Sequence, residues 1–164
     1  MVDFKYLDLI VQIKQDFKID YYGDHGINHW RRVYENTQRL AAYYSVESKV
    51  FELFALIHDS KRHDEFEDKH HGKRAAEFTK ILLDESIIDL NEEDSHRLLY
   101  ACANHTHSNK KHPLFNDLIV QICFDSDRLD IGRVGYSVDV SYLATDYAKS
   151  LIVDGEYIRD CSQT

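Results

Sequence analysis

The stretch Phe51-Glu52-Leu53-Phe54-Ala55-Leu56-Ile57-His58-Asp59 decides how this chain is read. It is apolar apart from Glu52 until it ends in a His-Asp doublet. On a helix, His58 shares a face with Ala55, Phe54 and Phe51, which lie three, four and seven residues back. An imidazole on that face must find a partner, because a buried polar group left alone costs free energy. Asp59 arrives at the same inner end of the helix.

Helical spacing recurs on both sides of this segment. Phe4, Leu7, Ile10, Val11, Lys14 and Phe17 predict an N-terminal helix at about 3–18. A break at 20–26 contains Gly23 and Gly26, and a second helix is predicted over about 28–44. The helix of the doublet covers about 48–59, with Glu47 and Ser48 at its start. Residues 60–70 are almost wholly charged or polar and read as a loop. A fourth helix is predicted over about 72–84. A fifth begins at Asn91, with Asp94 three residues on as in a capped start, and ends near 104. Pro113 punctuates the next loop. A sixth helix is predicted over about 116–131, with Gly132 and Gly135 at its end, and a last helix from near 140. No useful strand alternation and no internal repeat is visible. The expectation is an all-α, compact helical bundle, one domain over residues 1–164 with its core at about 25–150.

Composition agrees with a globular chain: 164 residues, 43% hydrophobic, 30% charged and a single proline. The apolar runs are too short to cross a bilayer, and Asp3, Lys5 and Asp8 break up any N-terminal leader. Cys102, Cys123 and Cys161 are odd in number, widely spaced and without a CxxC pair. That usage suits a reducing cytoplasm, with Cys102 and Cys123 as core residues. The expectation is a soluble, cytoplasmic protein without a membrane partner. A formal charge of −9 argues against non-specific nucleic-acid binding but not against a nucleotide, because a divalent cation supplies the local positive charge that phosphate needs. Eleven tyrosines and eight phenylalanines are enough for a homodimer face or base stacking, though most are expected in the core.

Other ionisable residues prolong apolar stripes in the same way as His58. His29 aligns with Val33, Asn36 and Leu40, and His71 with Ala75, Phe78 and Leu82. His105 aligns with Leu98, Ala101 and Cys102, and Asp127 with Ile119, Val120 and Cys123. At any one position a hydrogen-bonded core residue is the commoner explanation. Recurrence on five predicted helices favours a shared divalent transition metal, for which imidazole and carboxylate suit Mn, Fe, Co, Ni or Zn. Asp125-Ser126-Asp127 is not an EF-hand loop, since Leu129 falls where an oxygen ligand is needed and Asp130 where glycine is. His25 and His29 are not a zincin pair, since Gly26 stands where the catalytic Glu belongs.

In order and flanking residues the chain resembles the HD superfamily of metal-dependent phosphohydrolases. The matching segments are His25-Gly-Ile-Asn-His29-Trp-Arg-Arg-Val33, Leu56-Ile-His58-Asp59-Ser60 and Asp125-Ser-Asp127-Arg-Leu-Asp130. The resemblance implies that His29, His58, Asp59 and Asp127 bind the metal. Asp127 is chosen because it precedes Arg128-Leu129, and Asp130 then lies near enough to support a ligand from behind. His71, in His70-His71-Gly72, and His105, in Ala103-Asn-His105-Thr-His107, extend the match to the branches that hold two metals. There the doublet Asp59 bridges both ions. With a single ion, His71 and His105 would instead bind substrate. His70, His107, His96, His63 and His112 are expected to be solvent-facing or in polar loops.

The implied activity is hydrolysis of a phosphate ester, with Asp59, His71 and His105 as catalytic residues. A divalent metal lowers the pKa of a bound water towards neutrality and polarises a phosphoryl oxygen. Arg32, Lys73, Arg74, Arg128 and Arg133 are candidates to hold phosphate, Arg32 and Arg74 being favoured by their nearness in sequence to proposed ligands. For each of them a surface ion pair is the alternative. Members of the superfamily hydrolyse several kinds of nucleotide, so the expected partner is a small phosphate substrate of that type. The Gly-Tyr-Pro element of the cyclic-di-GMP branch is absent. Loops 60–70 and 106–113 are expected to flank the pocket mouth. Two other readings stay open: an HD-type di-iron oxygenase that cleaves a carbon bond, and a non-enzymatic protein with a structural metal.

Overall fold

In the computed structural model, which describes residues 4–159, every residue of helix α3 (Val50–Ile57) is buried. A helix without a polar face belongs in the interior. Here α3 is the axis on which α2 (Ile27–Tyr44), α5 (Glu92–Asn104) and α6 (Leu118–Arg128) pack, with α4 (His71–Asp84) laid against α5. Glu52 is the one charged residue of α3, and its carboxylate accepts the backbone N–H groups of Lys5 and Tyr6. That bond ties the segment before α1 (Leu7–Asp16) to the central helix.

Helix ends follow local chemistry. Ser45 closes α2 in the left-handed region (φ 54°), its N–H reaching the carbonyls of Ala41 and Ala42. Asn91 caps α5 by accepting the N–H of Asp94, and Glu92, Glu93 and Asp94 lie where the helix dipole favours negative charge. Asp117 caps α6 through the N–H groups of Ile119 and Val120. Asn116 belongs instead to a 3-10 turn over Pro113–Asn116, so α6 starts later than its spacing predicts, and it ends at Arg128, ahead of the glycines. Trp30, Phe51, Phe54 and Phe124 are the largest fully buried side chains of one apolar cluster. Burial of each stabilises the fold by roughly 1.5–3 kcal/mol. Cys102 and Cys123 are buried free thiols; Asp3 and Cys161 lie outside the described residues.

The C-terminal third departs most from expectation. In place of the helix expected from near 140 there is a 3-10 turn (Val140–Tyr142), a short α7 (Asp146–Ser150) and a hairpin of β1 (Ile152–Val153) with β2 (Glu156–Tyr157). Asp154 and Gly155 turn the hairpin with φ of 52° and 80°, the pair of positive values that an Asp-Gly turn supplies. No described helix is long and apolar enough to cross a membrane. The architecture is helical, with one small antiparallel pair at its end.

Candidate metal centre

Five side chains from five helices and their ends meet around Asp59. His29 lies on the first turn of α2, His58 at the C-cap of α3 and His71 at the start of α4. His105 is the C-cap of α5, and Asp127 is on the last turn of α6. The four imidazoles are almost wholly buried. Gly72 is what lets α4 reach α5, since a Cβ there would stand 2.8 Å from the carbonyl oxygen of Cys102. The Nε2 atoms of His71 and His105 are consequently 2.8 Å apart.

Each imidazole is anchored through Nδ1. His58 Nδ1 donates to the carbonyl of Phe54 (3.0 Å) and His105 Nδ1 to that of Cys102 (2.9 Å). His71 Nδ1 donates to the carbonyl of Asp68. His29 Nδ1 donates to Oδ2 of Asp130 (2.8 Å), which is itself held by Arg32 (2.8 Å) and Arg159 (2.6 Å). A proton on Nδ1 leaves Nε2 as a lone pair, and all four Nε2 atoms face Asp59. Imidazoles held from behind by carbonyls or a carboxylate are how metal-binding histidines are kept in one tautomer.

The two oxygens of Asp59 serve different neighbours. Oδ2 lies 3.6 Å from both His29 Nε2 and His58 Nε2. Oδ1 lies 3.3 Å from His71 Nε2 and 3.7 Å from His105 Nε2. Asp127 Oδ1 joins the first group, 3.3 Å from His29 Nε2 and 3.8 Å from His58 Nε2. His29, His58 and Asp59 make one group able to hold a metal ion, and Asp59, His71 and His105 make another. Ligands on a common ion at about 2.1 Å stand roughly 3.0–3.4 Å from one another, the scale of these separations. Asp59 Oδ1 is buried and has no hydrogen-bond donor, a lone-pair oxygen that a cation would satisfy. On donor type, spacing and this orphaned oxygen, the residues fit a metal ion.

Protonation favours the same reading. Burial pushes His58 down to about 3 and His71 down to about 4, so both rings are neutral at pH 7. Burial works to raise the Asp59 carboxyl, but His58, His105 and His29 hold it well below the usual range. Asp127 is likewise held low by His29, His58 and Arg133 against its burial. Neutral imidazole and ionised carboxylate are the forms that bind metal. His105 is the exception: burial works to lower it, while Asp59 and Asp127 draw it upward.

A cleft of about 1270 Å³ opens over this centre, its wall including Asp59, Arg62, His71, His105, Asp127 and Arg133. Arg128 also lines it, although its guanidinium donates to the carbonyl of Tyr142 and to Ser108. Three other cations proposed from the sequence are elsewhere. Arg32 is engaged with Asp130, Arg74 with Asp68 and the carbonyl of Lys61, and Lys73 is an exposed surface residue near Glu77. Arg133 comes within 3.7 Å of Asp127 Oδ1 and 4.0 Å of Asp59 Oδ2.

Arg62 and His25 escaped the sequence reading. Arg62 follows the doublet by three residues, the separation at which two side chains meet on a helical turn, and its Nη1 lies 3.5 Å from Asp59 Oδ1. That spacing was a usable signal. His25 lines the cleft and bonds Glu65 at 2.6 Å, forty residues away, and no local pattern announces it. His63, His70, His96, His107 and His112 are exposed. No family model, curated protein or solved structure matches this chain.

Proposed function

We propose that this chain is a metal-dependent phosphohydrolase of the HD type, a single-domain enzyme acting on a nucleotide or another phosphate ester. The carrying observation is Asp59: one buried carboxylate, one oxygen turned to His29 and His58, the other to His71 and His105. His29, His58, Asp59 and Asp127 would hold one ion, and Asp59, His71 and His105 a second. Mn, Fe, Co, Ni or Zn suits these donors. When bound, the metal would lower the pKa of water and neutralise charge on a phosphoryl group.

The chain's own residues account for the remainder. The Nδ1 anchors keep the imidazoles fixed in one tautomer, so little reorganisation is needed on binding. Arg133 and Arg62 bring two permanent positive charges to the cleft wall beside Asp59, where phosphate oxygens would be held. The cleft is large enough for a nucleotide-sized ligand, which favours hydrolysis of a small ester over a filled structural site.

Phosphate release measured across mono-, di-, tri- and cyclic nucleotides, with wild type beside Arg133→Gln and Lys73→Gln, tests this reading. Arg133→Gln is expected to lower kcat/KM at least about tenfold and Lys73→Gln to leave it unchanged. Equal loss in both, or no release from any phosphate ester by the metal-loaded wild type, contradicts it.

A further inference from the structure

The two donor groups are not equivalent, and Arg62 makes the difference. The group around His29 and His58 has two carboxylates in reach, Asp59 Oδ2 and Asp127 Oδ1. Among the described residues, the group around His71 and His105 has only Oδ1 of the shared Asp59. Into that poorer group comes a permanent cation. Arg62 is only 6% exposed, and its Nη1 lies 3.4 Å from His71 Nε2, 3.5 Å from His71 Nδ1 and 3.5 Å from Asp59 Oδ1. It thus stands against two of the three donors.

Arg133, the corresponding cation beside the first group, behaves differently. Its Nε and Nη1 are committed to the carbonyls of Asp24 and Asp130. Its Nη2 comes no closer than 3.7 Å and faces carboxylate oxygens. Arg62 has its Nε on the carbonyl of Asp64, in the polar loop, and its Nη1 lies among the donors. Asp59 Oδ1 is nevertheless left without a hydrogen bond, so Arg62 lowers the negative potential there without filling the site.

We infer that Arg62 competes with metal at the Asp59–His71–His105 group, so that the protein keeps one ion at His29–His58–Asp59–Asp127 and exchanges the second. The inference rests on the proposal that both groups bind metal. A cation buried beside two of the three donors raises the free energy of a second cation there far more than the same charge would in water.

The test is calorimetric titration of Mn(II) into chelator-stripped, full-length protein, with metal content measured after dialysis. Wild type is expected to keep one ion through dialysis and to take up a second at least about tenfold more weakly. Arg62→Gln should tighten the second step by about tenfold and leave the first unchanged. Arg62→Met, which retains the buried methylenes, should do the same and covers the case in which the glutamine variant folds poorly. Arg62→Lys, which keeps the charge, should resemble wild type. Two steps of equal affinity in wild type, or a second step unchanged or weakened in both Gln and Met variants, would overturn the inference and leave the metal-centre reading standing. A wild type that takes up no ion overturns both.

Discussion

Nε2 of His29 lies 3.0 Å from Nε2 of His58, although the Nδ1 of each already donates a hydrogen bond elsewhere. With both Nδ1 atoms donating, the two Nε2 lone pairs point at one another. The contact is favourable only with a cation or a proton between them, and burial pushes His58 down to about 3, against the proton. A bound metal is therefore expected to contribute to the stability of the fold. At a thousandfold excess of free metal over Kd the linkage is about 4 kcal/mol. Addition of EDTA to the metal-loaded protein is expected to lower Tm by roughly 10 °C. A melt unmoved by chelator would contradict it.

Asp130 should matter to metal affinity without touching metal. It is wholly buried and orients His29 while Arg32 and Arg159 hold it. Asp130→Asn is expected to weaken metal binding about 10–100-fold with helix content retained. Calorimetry with circular dichroism decides it, and wild-type affinity in a folded variant would remove Asp130 from the account.

Gly72 is predicted to be irreplaceable by alanine. The added Cβ would meet the Cys102 carbonyl at 2.8 Å and the Ala103 carbonyl at 3.2 Å, so α4 must move off α5. Overpacking of this kind costs about 1–3 kcal/mol, and it should also separate His71 from His105. Urea unfolding checks the first effect and metal stoichiometry the second. Gly132→Ala, with open space around its Cβ, is the control expected to change neither.

Asp68 organises the polar loop beside the cleft. Its carboxylate accepts the N–H groups of His63 (2.7 Å) and His70 (3.3 Å) and pairs with Arg74. Burial works to raise this carboxyl, but Arg74 and the backbone donors hold it well below the usual range. A depressed carboxylate contributes stability that is complete above its unfolded value, about 4, and is lost as pH falls below it. Asp68→Asn is expected to increase proteolysis within 61–70 at neutral pH. An unchanged cleavage rate would show that the loop is held by other contacts.

Much of the helical architecture was legible because α2, α4, α5 and α6 carry periodic apolar stripes and local caps such as Asn91 with Asp94. The metal-type donors were legible for the same reason: His29, His58, His71, His105 and Asp127 each continue a stripe of their own helix. Two kinds of information were not. The hairpin at Ile152–Val153 and Glu156–Tyr157 is too short to show alternation, although Asp154-Gly155 marks its turn. The placing of arginines depends on partners remote in sequence: Arg32 lies three residues from His29 but is drawn to Asp130, ninety-eight positions away. Arg74, near His71 in sequence, is likewise drawn back to Asp68 and Lys61. Nearness along the chain places a donor on a helix; it does not say which carboxylate a guanidinium finds.

The most direct test of the central claim is the metal content of purified wild type beside Asp59→Ala, with phosphate release measured on the same preparations. Wild type is expected to hold one or two transition-metal ions and to release phosphate, and the variant to lose both, since Asp59 is the carboxylate that both donor groups share. Two irons without hydrolysis would contradict the hydrolase in favour of an oxygenase, and no transition metal after reconstitution would contradict the metal centre itself.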